Sequence, residues 1–143
     1  MADFLNFLLD QWILSTAFVV VLLMLLITEL RGSSLGFKDL TPAEVVRLIN
    51  REDAVVIDVR DEADYKAGHI VNALHLPVGL MEARLGELEP YRERPFVLVC
   101  RTGQVAARGC VTLKKQGFNT IYKLSGGMLA WLGADLPVEK VDR

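Results

Sequence analysis

The chain has 143 residues, with 16 Lys and Arg, 18 Asp and Glu, and a formal net charge of −2. This near balance excludes the basic footprint of a nucleic-acid-binding protein. Two cysteines and two histidines without close spacing exclude a disulfide framework and a metal site, and no cofactor is predicted.

The N-terminal segment predicts a membrane anchor. Residues 11–28 contain no charged side chain, and most of them are apolar. A helix of this length spans about 27 Å, close to the ~30 Å hydrocarbon core of a bilayer. A cleaved signal peptide requires a basic first region, but residues 1–10 contain no Lys or Arg. We therefore expect residues 1–30 to be a retained transmembrane anchor.

The distribution of charge predicts how this anchor is oriented. All 16 basic residues follow residue 30, and Arg31 and Lys38 lie just after the apolar span. The positive-inside rule then places the N-terminus outside and the C-terminal part in the cytoplasm. In a bacterium this would be a single-pass protein of the inner membrane. Residues 31–36 are rich in Gly and Ser and predict a linker, and residues 37–143 are long enough for one domain.

Strands and helices are predicted to alternate along this domain. Thr41 and Glu44 form a capping-box pattern that starts a helix at residue 42. The predicted strands cover residues 54–59, 73–76, 96–99 and 120–124. The predicted helical segments cover residues 61–67, 78–88, 104–116 and a short stretch ending at 131, with the ordered chain ending between Gly133 and Pro137. This alternation favours an α/β fold with a central parallel sheet flanked by helices.

Cys100 is the most conspicuous candidate for chemistry. It follows the apolar run 96–99, and a loop containing Gly103 separates it from the helix predicted to start at residue 104. Sites in open α/β sheets form outside the carboxyl ends of the strands, and a helix N-terminus there favours a thiolate. A buried, inert cysteine is the alternative, because free cysteines are among the most buried residues. Placement alone leaves both readings open.

Three ordered stretches resemble a known family. Residues 58–77, 100–106 and 117–131 are closely similar to motifs of the rhodanese family of sulfurtransferases. The resemblance covers residues 37–138 and implies a single rhodanese-like domain preceded by the transmembrane helix. It also implies a reaction in which the active-loop cysteine takes a sulfane sulfur from a donor such as thiosulfate. By this match Cys100 is the nucleophile that becomes a persulfide and passes the sulfur to a thiol or cyanide acceptor.

The active loop implied by the resemblance contains six residues. Its backbone N–H groups are expected to turn inward around the sulfur, and the substrate-binding residues are Arg101, Thr102, Gly103, Gln104 and Val105. Related cell-cycle phosphatases carry a seven-residue loop that ends in arginine, and Ala106 stands at that place here, which argues against phosphatase and arsenate-reductase activity. Val105 departs from the polar or basic residue often found at the last loop position. The donor therefore stays open between thiosulfate and a protein persulfide.

Several other residues have competing interpretations. Arg60 either lines the pocket mouth or, as we favour, pairs with an acidic residue of the next turn. Asp58 is expected to hydrogen-bond backbone near the active loop, and His69 to be structural rather than catalytic. Cys110 lies four residues after Ala106 on a core stripe, so we expect it to be buried rather than to resolve a persulfide.

A second class of function is also considered. The domain could be a rhodanese-fold binding or scaffolding module tethered to a membrane-protein partner. The retained Cys100 favours the enzyme, whose partners would be a sulfur donor and a thiol acceptor.

Overall fold

Five parallel strands form the centre of the C-terminal part of the chain. A computed structural model describes residues 1–34 and 36–141. The sheet order is β1-β6-β5-β2-β4, and every pairing between neighbours is parallel. These strands are Lys38–Leu40 (β1), Val55–Asp58 (β2), Leu74–His75 (β4), Phe96–Val99 (β5) and Ile121–Leu124 (β6). The predicted α/β fold with a central parallel sheet is confirmed.

Helices and two short strands surround this sheet. The helices of this unit are Pro42–Glu52 (α3), Glu62–Ala67 (α4), Gln104–Lys115 (α5) and Gly127–Gly133 (α6). The predicted capping box at the start of α3 is present, with the Glu44 N–H donating to Thr41 Oγ1 at 3.3 Å. His69–Ile70 (β3) and Val138–Glu139 (β7) form a separate antiparallel pair.

The core lies on both faces of the sheet. Alternate residues of β2 and β5 enter two different clusters: Ile57 and Leu98 pack on the α5 side with Cys110, whereas Val56 and Val97 pack on the other side with the buried residues of α6. Burial on both faces explains why these strands are continuously apolar. Trp131 and Met128 of α6 are buried in the second cluster.

Two local predictions differ from the structure. The single helix expected over residues 78–88 is replaced by two 3₁₀ helices, Val78–Leu80 and Leu85–Tyr91, because Gly79, Gly86 and Pro90 disfavour a continuous α-helix. Residues beyond Pro137 are ordered as β7, contrary to the expected end, because pairing with the distant β3 supplies their hydrogen bonds.

The N-terminal part forms a separate unit of two helices, Ala2–Asp10 (α1) and Trp12–Ser34 (α2), and the second unit begins at Gly36. Trp12–Leu30 is long and apolar enough to cross a membrane, and none of it is buried. Because α2 extends to Ser34, residues 31–34 of the predicted linker are helical instead. Continuing a long helix through one glycine and two serines costs only about 2 kcal/mol in propensity.

Candidate active site

Cys100 lies directly after β5, at the carboxyl end of the central strand. Its side chain is only 3% exposed, and it belongs to the core cluster that packs against α5. The backbone N–H of Gly103 donates a hydrogen bond to Cys100 Sγ at 2.9 Å. Gly103 is the N-cap of α5, so the sulfur faces the positive end of that helix. Cys100 is thus buried and at the same time placed like a nucleophile.

The other residues of the loop divide into one buried position and an exposed rim. Gly103 is buried and has φ of +107°, a left-handed conformation that glycine adopts without strain. The remaining four predicted substrate-binding residues are exposed: Arg101, Thr102, Gln104 and Val105. The rim therefore offers one guanidinium group, from Arg101, and no hydrogen-bonding side chain at Val105.

A backbone clamp holds the loop from the outside. It consists of two hydrogen bonds, from the Met128 N–H to the Cys100 carbonyl at 2.8 Å and from the Leu129 N–H to the Arg101 carbonyl at 3.3 Å. The first turn of α6 thus engages the carbonyl groups of two loop residues. This clamp was not predicted from the sequence, although the glycine pair before Met128 was a local signal for it.

Gly127 makes the close approach between α6 and the loop feasible. Its φ is +57°, and a Cβ atom on it would lie 2.6 Å from both the carbonyl carbon and oxygen of Arg101 and also collide with the Cys100 carbonyl oxygen. Only a residue without a Cβ atom fits this position.

Asp58 and Arg60 form a buried ion pair at the end of β2. Arg60 Nη2 lies 2.6 Å from Asp58 Oδ2, and Arg60 Nε donates to Asp58 Oδ1 at 2.9 Å. Arg60 Nη2 also donates to the carbonyl of Gly68 at 2.7 Å. The favoured interpretation of Arg60 as a member of an ion pair is thus confirmed, but the predicted partner is wrong: it is Asp58, two residues earlier, and not an acidic residue of the next turn. As predicted, Asp58 also hydrogen-bonds backbone: its Oδ1 accepts from the Arg60 backbone N–H at 3.0 Å, and Asp58 lies opposite Val99, the residue before Cys100.

His69 and Cys110 both have structural surroundings. His69 is 4% exposed, its Nδ1 lies 2.8 Å from the Tyr65 carbonyl, and its ring stacks on that of Tyr65. Cys110 is fully buried in the core, and its thiol donates to the Tyr122 carbonyl at 3.7 Å. Burial raises the pKa of Cys110 to about 12, which keeps this thiol protonated and poorly nucleophilic.

Comparison with known proteins agrees with this architecture. The family model of the rhodanese-like domain matches residues 41–134. The uncharacterized protein YibN of Escherichia coli is 33% identical over 139 residues, which cover 96% of this chain and 97% of that protein. The thiosulfate sulfurtransferase GlpE of Pseudoalteromonas translucida is 32% identical over 111 residues, covering 76% of this chain and all of that protein.

A solved structure at a similarly low sequence identity shows the same fold. The full-length protein from Lactobacillus plantarum superimposes with a TM-score of 0.65 at 27% identity, covering 83% of this chain and 96% of the other. With a matching family model over most of its second unit and relatives above 30% identity, the chain belongs to the rhodanese-like domain family.

Proposed function

We propose that this protein is a membrane-anchored sulfurtransferase that carries a sulfane sulfur as a persulfide on Cys100. The observation that carries the proposal is the hydrogen bond of 2.9 Å from the Gly103 N–H to Cys100 Sγ at the N-terminus of α5. A fixed backbone donor at the positive end of a helix stabilises negative charge on sulfur. The name of the relative GlpE, a thiosulfate sulfurtransferase, supports thiosulfate as one donor.

The reaction needs no external oxidant or reductant. The Cys100 thiolate attacks the outer sulfur of thiosulfate, the S–S bond of the donor breaks, and sulfite leaves with its electron pair. The product is a persulfide anion on Cys100. An acceptor thiolate then attacks the terminal sulfur of that persulfide, which forms a new persulfide on the acceptor and returns Cys100 to the thiolate.

The rim of the loop bears on the identity of the donor. The exposed Arg101 is the loop residue that can attract an anionic donor, whereas Val105 is 41% exposed and offers no hydrogen bond. Recognition of the donor would therefore rest mainly on backbone groups such as the Gly103 N–H. Such a site accepts thiosulfate, and it equally accepts the terminal sulfur of a protein persulfide.

Sulfur loading on the full-length chain in detergent micelles tests this mechanism. After incubation with thiosulfate, mass spectrometry of the peptide containing Cys100 is expected to show a gain of one sulfur atom. Cys100→Ser should abolish both the adduct and sulfur transfer to a thiol. Cys110→Ser is the matched control and should retain both, because Cys110 is fully buried and its thiol donates to the Tyr122 carbonyl. Unchanged transfer by Cys100→Ser would disprove the mechanism.

The anchor is part of the proposal. We infer that Trp12–Leu30 spans a membrane with the rhodanese domain on the cytoplasmic side, since the nearest basic residues, Arg31 and Lys38, follow the span. Reporter fusions at both termini test the topology, and a C-terminus accessible only from outside would refute it. If a Cys100→Ser chain rescued a deletion phenotype and an anchor-deleted chain did not, the tethered binding module would replace the enzyme as the favoured function.

A further inference from the structure

Lys123 is a charged residue placed beside the active loop. It lies in β6, where it pairs in register with Leu98 of β5, two residues before Cys100. Side chains of a strand alternate between faces, so Lys123 shares its face with Ile121. Ile121 packs in the same core cluster as Cys100 and Cys110. The lysine side chain is therefore on the face of the sheet that α5 covers.

The ammonium end of this side chain reaches the start of α5. Lys123 Cε lies 3.9 Å from the position that a Cβ atom on Gly103 would take, and the Lys123 side chain is only 17% exposed. Gly103 is the residue whose N–H donates to Cys100 Sγ. The lysine side chain thus lies beside the residue whose N–H contacts the sulfur.

This location is electrostatically unusual for a cation. A helix N-terminus carries a partial positive charge, and a lysine next to it is unfavourable unless a negative charge is also present. Asp39 is the ion-pair partner of Lys123, at 3.4 Å, but the Asp39 side chain is 51% exposed. A carboxylate so accessible to water neutralises its partner only weakly. We therefore expect the charge of Lys123 to leave a net positive potential at the loop.

A second effect shows how far this charge extends. The Lys123 ammonium lowers the pKa of Cys110 against the larger effect of burial, while Asp39 raises it. Cys110 lies in the second turn of α5, farther along that helix than the loop. The charge of Lys123 therefore reaches a thiol in the second turn of α5.

We propose that Lys123 is a positioning residue of the active loop, whose ammonium holds anionic sulfur on Cys100 and draws anionic donors toward it. The residue supplies from the neighbouring strand the positive charge that Val105 does not supply from the loop. The inference rests on the proposed function, in which the thiolate, the persulfide and thiosulfate are all anions.

The test compares two alkylating reagents on the full-length chain in detergent micelles. Iodoacetate is an anion and iodoacetamide is neutral, so the ratio of their rates at Cys100 measures the local potential. Peptide mapping separates Cys100 from Cys110. In Lys123→Met this ratio is expected to fall about two- to fivefold at low salt, from a unit charge several ångströms away at intermediate dielectric. In Lys123→Arg, which keeps the charge, the ratio of rates should stay close to that of the parent chain.

Asp39→Asn distinguishes the charge from a structural role of the ion pair. If the pair only held β1 against β6, both Lys123→Met and Asp39→Asn would change the loop in the same direction. If Lys123 acts by its charge, Asp39→Asn raises the ratio while Lys123→Met lowers it. An unchanged ratio in Lys123→Met, or a parallel change in both variants, would overturn the proposal. Because alkylation needs no sulfur transfer, failure of persulfide loading with a normal ratio would refute the proposed function alone.

Discussion

Replacing Gly127 with alanine is expected to loosen the active loop and destabilise the domain. The new Cβ atom would meet the backbone of Cys100 and Arg101, with two contacts at 2.6 Å. Ordinary carbon–oxygen contacts need several tenths of an ångström more, and a backbone cannot rotate away as a flexible side chain does. The first turn of α6 must therefore move outward, which lengthens the two hydrogen bonds of the backbone clamp.

The size of the effect follows from two contributions. A residue with a Cβ atom in the left-handed conformation costs roughly 1–2 kcal/mol, and the φ of Gly127 is +57°. Forcing an extra methyl group into a packed site costs typically 1–3 kcal/mol. We expect Gly127→Ala to lower the free energy of unfolding by about 3 kcal/mol, a large part of the stability of a typical domain.

Urea unfolding of the full-length chain in micelles measures this effect. The fluorescence of the buried Trp131 reports the transition in a Trp12→Phe background, which removes the other tryptophan. Gly133→Ala is the matched control in the same helix, because a Cβ atom there has no neighbour within 4 Å. Equal stability of Gly127→Ala and Gly133→Ala, with an unchanged alkylation rate at Cys100, would refute the argument from close approach.

Three further predictions concern the surroundings of the loop. Arg60→Met leaves the carboxylate of Asp58, which is 1% exposed, without its guanidinium partner and should lower the free energy of unfolding in urea by about 3–5 kcal/mol. Adding Asp58→Asn to that chain should restore part of this stability, and additive losses from the two substitutions would argue against the ion pair. Because the pKa of Cys110 is raised from 9.0 to about 12, the folded chain holds this proton more tightly than the unfolded chain, so stability is complete below pH 9 and decreases as pH rises from 9 toward 12. Cys110→Ala should reduce this slope by up to about 1.4 kcal/mol per pH unit, and an identical slope would show that the thiol ionises freely. Gly109→Ala places a Cβ atom 2.5 Å from Leu98 Cδ2 and should cost about 1–3 kcal/mol, whereas no loss would mean that the helix shifts without strain.

The sequence predicted the parts of the fold that local patterns encode. The continuous apolar runs of β2 and β5 reflect burial on both faces, and the Thr41–Glu44 pattern reflects a cap made within one turn. It missed β1, β3 and β7, which have two or three residues each and no measurable periodicity. Such strands exist because a distant partner supplies their hydrogen bonds, and no local signal identifies that partner.

In the candidate active site, too, local features were predictable and contacts between distant segments were not. The placement of Cys100 before Gly103 and α5 was predictable because one continuous segment contains all three parts. The partner of Arg60 was not predicted, because several carboxylates lie within a few residues of it and the local pattern does not single out Asp58 among them. The closeness of Lys123 to Gly103 depends on the pairing of β5 with β6, which joins segments more than twenty residues apart.

The backbone clamp explains how a nearly buried cysteine can remain at the centre of a polar loop. Loop peptide groups each carry a donor and an acceptor, and the N–H of Gly103 points at the sulfur. The carbonyls of Cys100 and Arg101 point the other way, where the N–H groups of Met128 and Leu129 bind them. With these acceptors bound outside the loop, its peptide groups are held so that the Gly103 N–H donates to the sulfur. Gly127 is thus coupled to Cys100 through the backbone, and a methyl group there should disturb the sulfur site although no side chain of the loop has changed.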